Sequence, residues 1–467
     1  HRRGPEGPAG PEGRRGQEGT GEEGLASPDG PPHRLILVFR RRRVFLALAV
    51  LVGGGFAFIT VERSPSPGPA HPKQWDAQVR PLVRFVEETR GLPFRHPVAV
   101  DYLSDAEFRR AVVDEPGVTE QGLAQPDGEA AARALGLPTG KNGLVEAGGT
   151  LSGEGVTAYY DDATERVSVR GTDLTVGRRG TIVHELTHAL QDQYFDISRD
   201  GSYSSDDRNG AFDAVVEGDA VRLEDAYVDS LPQADQDAYD QEQAAADAAY
   251  NAGISGVPDW LSATSDFPYS VGEPFVQALD GAAGRQGVDR ALRTPPPAEA
   301  EVMDAARYLR GDRPLKVPAP PPPAGTRVVK RNDLGALRWL LVLAERIPAA
   351  DALKAVDGWD GDSYLVYEQA GRVCVKADFA GVAAAAGDGM AAALGRWAAK
   401  MPAASGATVT RPGAVVELAS CDPGATALPG PSTPDSHVDE AMKLLTDRAG
   451  VFVTAVDNGE AHVSPKR

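Results

Sequence analysis

The sequence has little cysteine: Cys374 and Cys421 are the only two among 467 residues. Neither belongs to a C-x-x-C pair, which argues against a zinc site built on cysteine. In an oxidising compartment the two are candidates for one disulfide. Basic charge is also short, with 48 Lys and Arg against 67 Asp and Glu and a formal net charge of −19. The first 43 residues hold nine Arg and six acids, so the body that follows is more acidic still. Such a body argues against nucleic acid as a partner, because phosphates demand a basic face. It suits a solvated extracellular surface. Aromatics are few while Ala, Gly, Asp and Arg abound, a usage resembling that of high-GC bacterial genomes. No solenoid-type repeat is present.

Long apolar runs are absent, with one exception. Val44 to Val61 is uncharged and apolar over 18 residues, with Arg40, Arg41, Arg42 and Arg43 directly before it. That length approaches what a bilayer span needs. The positive-inside rule then puts the N-terminus in the cytoplasm and everything after residue 61 outside. The run is long for a cleaved signal peptide and no A-x-A site follows closely, so an uncleaved anchor is expected. Before it, Gly4, Gly7, Gly10, Gly13, Gly16 and Gly19 keep a three-residue period. Six triplets are too few for a collagen helix, and a disordered tail is expected instead.

Histidine is scarce, eight in all, yet two fall within five residues. His184, Glu185 and His188 form H-E-x-x-H inside H-E-L-T-H-A-L-Q-D-Q. On a helix, residues four apart share a face, so both imidazoles point the same way and suit a zinc ion. Glu185, next to the first of them, can reach a metal-bound water as general base. Ile182, Leu186, Ala189 and Leu190 supply a separate apolar stripe for the core.

Apolar spacing predicts further helices over 78–90, 105–113 (with Ser104 as N-cap), 211–227 and 235–252. Others are expected around 275–279, over 334–346, roughly 384–400 and near 437–448. Alternation predicts strands over 96–102, 156–160, 166–170, 363–367 and 373–379, with the second and third forming a hairpin. The organisation expected is a tail (1–43), an anchor (44–61), a linker (62–75), a catalytic domain (76–380) and a C-terminal extension (381–467).

A catalytic zinc usually takes three protein ligands and a water. Gln191 and Tyr194 stand where a metzincin would have Gly and His, which excludes that continuation. A Glu or an Asp on the following helix is left. Glu217 is one candidate, and Asp213 and Asp219 are the others. Gly218 and Ala220 are small enough to let that helix approach the motif helix closely.

The pair H-E-L-T-H-A-L-Q-D-Q and V-E-G-D-A (216–220) resembles the gluzincin zinc metallopeptidases, nearest to a bacterial membrane-anchored branch. R-R-G-T-I-V (178–183), F-P-Y-S-V-G-E-P-F-V (267–276) and G-W-D-G-D-S-Y (358–364) extend the likeness over roughly 155–380. The resemblance implies an α+β, zincin-like domain behind a transmembrane helix, with a C-terminal α/β extension. It implies one zinc ion held by His184, His188 and Glu217, with Glu185 as general base. It implies a peptide or protein substrate, cleaved outside the cytoplasm by a membrane-held enzyme, and it suggests Tyr269 as a donor to the oxyanion. One departure stands out. Thermolysin-like members carry an Asp four residues after the Glu ligand, where this chain has Val221. The support that a metal-bound imidazole needs must come from elsewhere, with Asp213 and Asp219 as candidates. The alternatives are an inactive zincin-fold binding module on the surface and a zinc hydrolase acting on something other than a peptide.

Overall fold

Among the described residues the chain forms two sheets among many helices, an α+β architecture. The computed structural model describes residues 71–457 apart from 115–125, 154–155, 200 and 204. The Gly-rich tail and the apolar run over 44–61 lie outside the described residues. No helix within them is long and apolar enough to cross a membrane.

The N-terminal half contains α1 (Arg80–Arg90), β1 (Ala99–Leu103), α2 (Asp105–Asp114), α3 (Pro126–Ala134), α4 (Leu144–Gly153), β2 (Ala158–Asp161) and β3 (Arg166–Arg170). Next come α5 (Val176–Phe195), α6 (Asp206–Asp229), α7 (Gln233–Gly253), α8 (Asp259–Ser270), α9 (Gly272–Ala283) and α10 (Arg285–Arg293). Two short helices follow, α11 (Glu299–Met303) and α12 (Ala305–Arg310), then β4 (Arg327–Asn332), α13 (Gly335–Ala344) and α14 (Ala349–Val356). The chain continues with β5 (Trp359–Gln369), β6 (Arg372–Gly381), α15 (Ala384–Ala399), β7 (Thr408–Thr410), β8 (Val415–Cys421) and α16 (Val438–Asp457).

The first sheet has the order β1-β3-β2, with β1 parallel and β2 antiparallel to β3. The expected hairpin is present. Strand β1 starts three residues later than its pattern suggested, beyond Pro97, which has no N–H to give a ladder. Ser104 caps α2 in a reciprocal box: its N–H donates to Glu107 Oε2 at 2.9 Å, and its Oγ accepts from the Glu107 N–H at 3.4 Å.

The second sheet is wholly antiparallel, in the order β4-β5-β6-β8-β7. It crosses residue 380, so strands from both sides of that position share one ladder. Strand β4 was not foreseen. Its sequence, RVVKRN, is charged because it sits at a sheet edge with no residue fully buried.

Among the described residues two large apolar cores result, with two small clusters beside them. The smaller gathers Val83 and Val86 of α1, Val167 and Val169 of β3, and Ile182 and Leu186 of α5. The larger holds Trp339, Phe379, Trp397 and their neighbours. Helix α6 serves both, giving Ala211, Phe212 and Val215 to the larger and Leu223, Tyr227 and Val228 to the smaller. At 24 residues it is about 36 Å long, enough to run from one core into the other.

Cys374 and Cys421 are joined, and they face each other in register on β6 and β8. The bridge closes a separation of 47 residues. Changing both to Ser should lower stability by about 2–4 kcal/mol, read as a lower urea midpoint with an unchanged slope. An unmoved midpoint would mean that the ladder alone holds these strands together.

Candidate metal centre

Helix α5 is set before any ligand is considered. Thr175 caps it by accepting from the Arg178 N–H, and Thr175 Oγ1 in turn donates to Glu242 of α7 at 2.7 Å. The helix is buried at 15 of its 20 residues, so it cannot be amphipathic in the usual sense. Its apolar side packs Ile182, Val183, Leu186 and Leu190 into the smaller core. The remaining side holds His184 and His188, and it faces α6.

Helix α6 starts at Ser205, whose Oγ accepts from the Arg208 N–H. Glu217 stands near its middle. The tight approach expected at Gly218 does occur, but toward α9 rather than α5. A Cβ on Gly218 would lie 2.3 Å from the carbonyl of Gly272, and one on Gly272 would lie 2.2 Å from the Ala214 carbonyl oxygen. Two glycines therefore let the α6 backbone rest directly on the start of α9. That contact fixes the height of Glu217 along its helix.

The three expected ligands converge. Glu217 Oε2 lies 3.1 Å from His184 Nε2 and 3.4 Å from His188 Nε2. Donors about 2.1 Å from a tetrahedral zinc stand about 3.4 Å from one another, so the spacing is compatible with a ligand set as well as with the direct hydrogen bond. All three residues are buried. Burial works against the charge on His184, yet Glu217 and Glu224 outweigh it and raise its pKa to about 10. For Glu217 burial is again opposed, here by His188 and His184, which draw it down to about 2. Two imidazoles and a carboxylate enclosed in this way, donor atoms inward, fit a divalent ion.

The outward nitrogens have partners that the sequence did not reveal. His184 Nδ1 is 3.4 Å from Glu224 Oε2, and His188 Nδ1 is 3.0 Å from Gln191 Oε1. Glu224 lies three residues past Val221, one turn beyond the position where thermolysin-like members keep their Asp. The only available signal was its place seven residues after Glu217, which repeats the same helix face. Gln191 occupies the position whose identity had served only to exclude metzincins. Its Nε2 donates to the Val216 carbonyl at 3.0 Å and to Asp219 Oδ2 at 3.1 Å. Asp219 thus acts one bond further out, through Gln191. It is 0% exposed and takes a 2.9 Å ion pair from Arg90 of α1. Glu224 and Gln191 thus face the outward nitrogens of the two imidazoles, and Asp213, a turn before Glu217, is half-buried.

Glu185 is 1% exposed, and its Oε2 has no hydrogen-bond partner among the described residues. Burial pushes its pKa up. The other constraint on its carboxylate is the backbone N–H of Tyr160 on β2. The geometry of the hairpin explains that bond. Arg170 N–H donates to the Thr157 carbonyl, so alternation turns the backbone groups of Ala158 and Tyr160 away from β3, toward the free edge. Strand β2 therefore presents its open edge to the centre. Tyr269, near the end of α8, is buried, with its ring roughly parallel to that of His184 at 6.4 Å between centroids.

The Arg90–Asp219 pair is buried on both sides, so removing one partner strands a charge. Arg90→Met should cost about 3–5 kcal/mol. Adding Asp219→Asn should restore part of it, a coupling that urea denaturation of the two single variants and the double variant would measure. Additive losses would refute the pairing. No family model matches the chain, and neither a curated protein nor a solved structure matches it.

Proposed function

We propose that the chain is a zinc-dependent peptidase with a zincin-like catalytic domain, held at the outer face of a membrane by the apolar run over 44–61. The observation that carries this reading is the convergence of His184, His188 and Glu217 on one point, with the Glu185 carboxylate enclosed beside it. A zinc ion in that position supplies a Lewis acid and a water acidic enough to lose a proton near neutral pH.

The chain's own groups account for the rest. Glu185 takes the proton from the attacking water and returns it to the leaving amine, so the carboxylate needs one oxygen free. The Tyr160 N–H engages one side of the carboxylate and leaves Oε2 without a bond. Beyond the Tyr160 N–H that Glu185 takes, the edge of β2 keeps the Ala158 backbone groups and the Tyr160 carbonyl beside the same carboxylate, which suits an extended peptide added as a further strand. That edge favours a peptide over a small closed substrate. Tyr269, beside His184, is the candidate donor to the developing oxyanion.

Glu185→Gln should lower kcat by about 10²–10⁴-fold while zinc content stays at that of the wild type. Glu217→Ala should lose zinc. Cleavage of a peptide library by the Glu185→Gln variant at the wild-type rate would refute the base. Full zinc without hydrolysis of any peptide would favour the inactive binding module. Glu224→Gln and Gln191→Leu should each weaken zinc binding about 10–100-fold with the fold intact, as measured by competition with a chromophoric chelator.

A further inference from the structure

Five histidines lie among the described residues, and four of them fall into two groups of the same composition, two His and one Glu. The first is the centre above. The second is His71, His96 and Glu165, drawn from three separate stretches of chain. His71 precedes α1, His96 precedes β1, and Glu165 lies in the turn of the β2–β3 hairpin. Their candidate donor atoms all lie within 4.8 Å of one another.

Both imidazoles turn a nitrogen toward the same Glu165 oxygen. Glu165 Oε2 is 3.3 Å from His96 Nε2 and 3.6 Å from His71 Nδ1. The same oxygen is buried and has no hydrogen-bond partner among the described residues. The two imidazoles are stacked, with 3.7 Å between centroids. A single divalent ion between them would satisfy all three donors. His96 is oriented for this. Its Nδ1 lies 3.4 Å from the Pro97 carbonyl and 3.5 Å from Gln193 Nε2, which leaves the His96 Nε2 turned toward Glu165. Gln193 of α5 holds the segment by donating to the His96 carbonyl at 3.1 Å and accepting from the Arg95 N–H at 2.8 Å. The surroundings are acidic. Burial, with Asp162 and Glu165 adding to it against the Tyr160 hydrogen bond, pushes nearby Asp192 up to about 6.

We propose that His71, His96 and Glu165 form a second divalent-cation site, of the zinc class, that staples the segment ahead of α1 to the β2–β3 hairpin. The three side chains are 32%, 29% and 21% exposed at His71, His96 and Glu165, so water completes the coordination and the ion exchanges with solvent. The site has a structural consequence for the first centre. The hairpin carries Tyr160, whose N–H engages Glu185, and the ion ties that hairpin to the chain arriving from residues 62–75. The inference itself does not depend on the first centre binding zinc.

The test uses the full chain without an affinity tag, stripped with a chelator and titrated with Zn²⁺ alone against a chromophoric competitor. The wild type should bind two ions, Glu217→Ala one, and His71→Ala or His96→Ala one. His71 stands on an exposed segment, so its loss leaves the fold intact, which circular dichroism verifies. Zinc at 100 times its Kd should also slow tryptic cleavage after Lys73 about 100-fold in the wild type and in Glu217→Ala, but not in His71→Ala. One ion in the wild type that is retained in His71→Ala and His96→Ala and lost in Glu217→Ala would overturn the second site and leave the first. One ion retained in Glu217→Ala and lost in His96→Ala would support the second site and remove the first. No bound zinc in the wild type would overturn both.

Discussion

Charge buried between α5 and α6 is the constraint on which most of this structure depends. His184, His188, Glu185, Glu217, Glu224 and Asp219 are all withdrawn from water along that interface. An isolated buried charge costs several kcal/mol, so each must be matched. Glu217 and Glu224 face the imidazoles, while Asp219 faces Arg90 and Arg222. The match depends on position. Helix α6 is held in place by backbone contact at Gly218 and Gly272, and α1 is held by Arg90, which reaches both Asp219 and Asp289. Burial opposes charge on the imidazoles, but the surrounding carboxylates raise both pKa values above that of a free histidine. Protons and a divalent ion would therefore compete for the same nitrogens.

The parts of this arrangement that were legible in the sequence share one property: their geometry is local. His184, Glu185 and His188 lie on one helix, and a period of 3.6 residues brings the two imidazoles to one face. The β2–β3 hairpin is likewise a neighbour-to-neighbour feature. Glu217 entered through a family resemblance, because spacing alone left Asp213 and Asp219 equally open. Glu224 and Gln191 could not be separated from ordinary helix-surface residues. A Glu in L-E-D-A-Y reads as solvated until the helix is known to be buried on nearly every side. The apolar pattern of α6 is also ambiguous for that reason, since the helix faces two cores and one charged seam.

Elsewhere the missing information was long-range pairing. Strand β4 is too charged to read as a strand until β5 is known to lie beside it. Helix α8 carries Pro268 near its end, and a proline ordinarily argues against a helix. Here Pro268 gives no N–H to the Thr264 carbonyl, and the helix carries that lost bond two residues before its end. The disulfide was available as a pairing of the only two cysteines, but its role was not. It pins the two strands that join residues on either side of position 380, so the C-terminal residues complete a sheet begun before that position. The second sheet and the larger core then form the support against which α6 rests.

Helix α5 finally explains why the two His–His–Glu groups lie where they do. It presents His184 and His188 from its middle, and Gln193, five residues later, holds His96 through its backbone. Five residues advance a helix by about 7.5 Å, so the segment carrying the second group is anchored little more than one turn from His188. Between these points Asp192 accepts from the Tyr160 hydroxyl at 2.9 Å. Tyr160 is thus held twice, by its side chain to Asp192 and by its N–H to Glu185. The hairpin edge and the helix consequently behave as one unit. A displacement at the turn that carries Glu165 would pass along β2 to the N–H that orients the carboxylate. Under the proposed function the strand edge must stay at a fixed height above the imidazoles. Anchoring the turn at one end of β2 and the tyrosine near it achieves this with no further contact from the larger core.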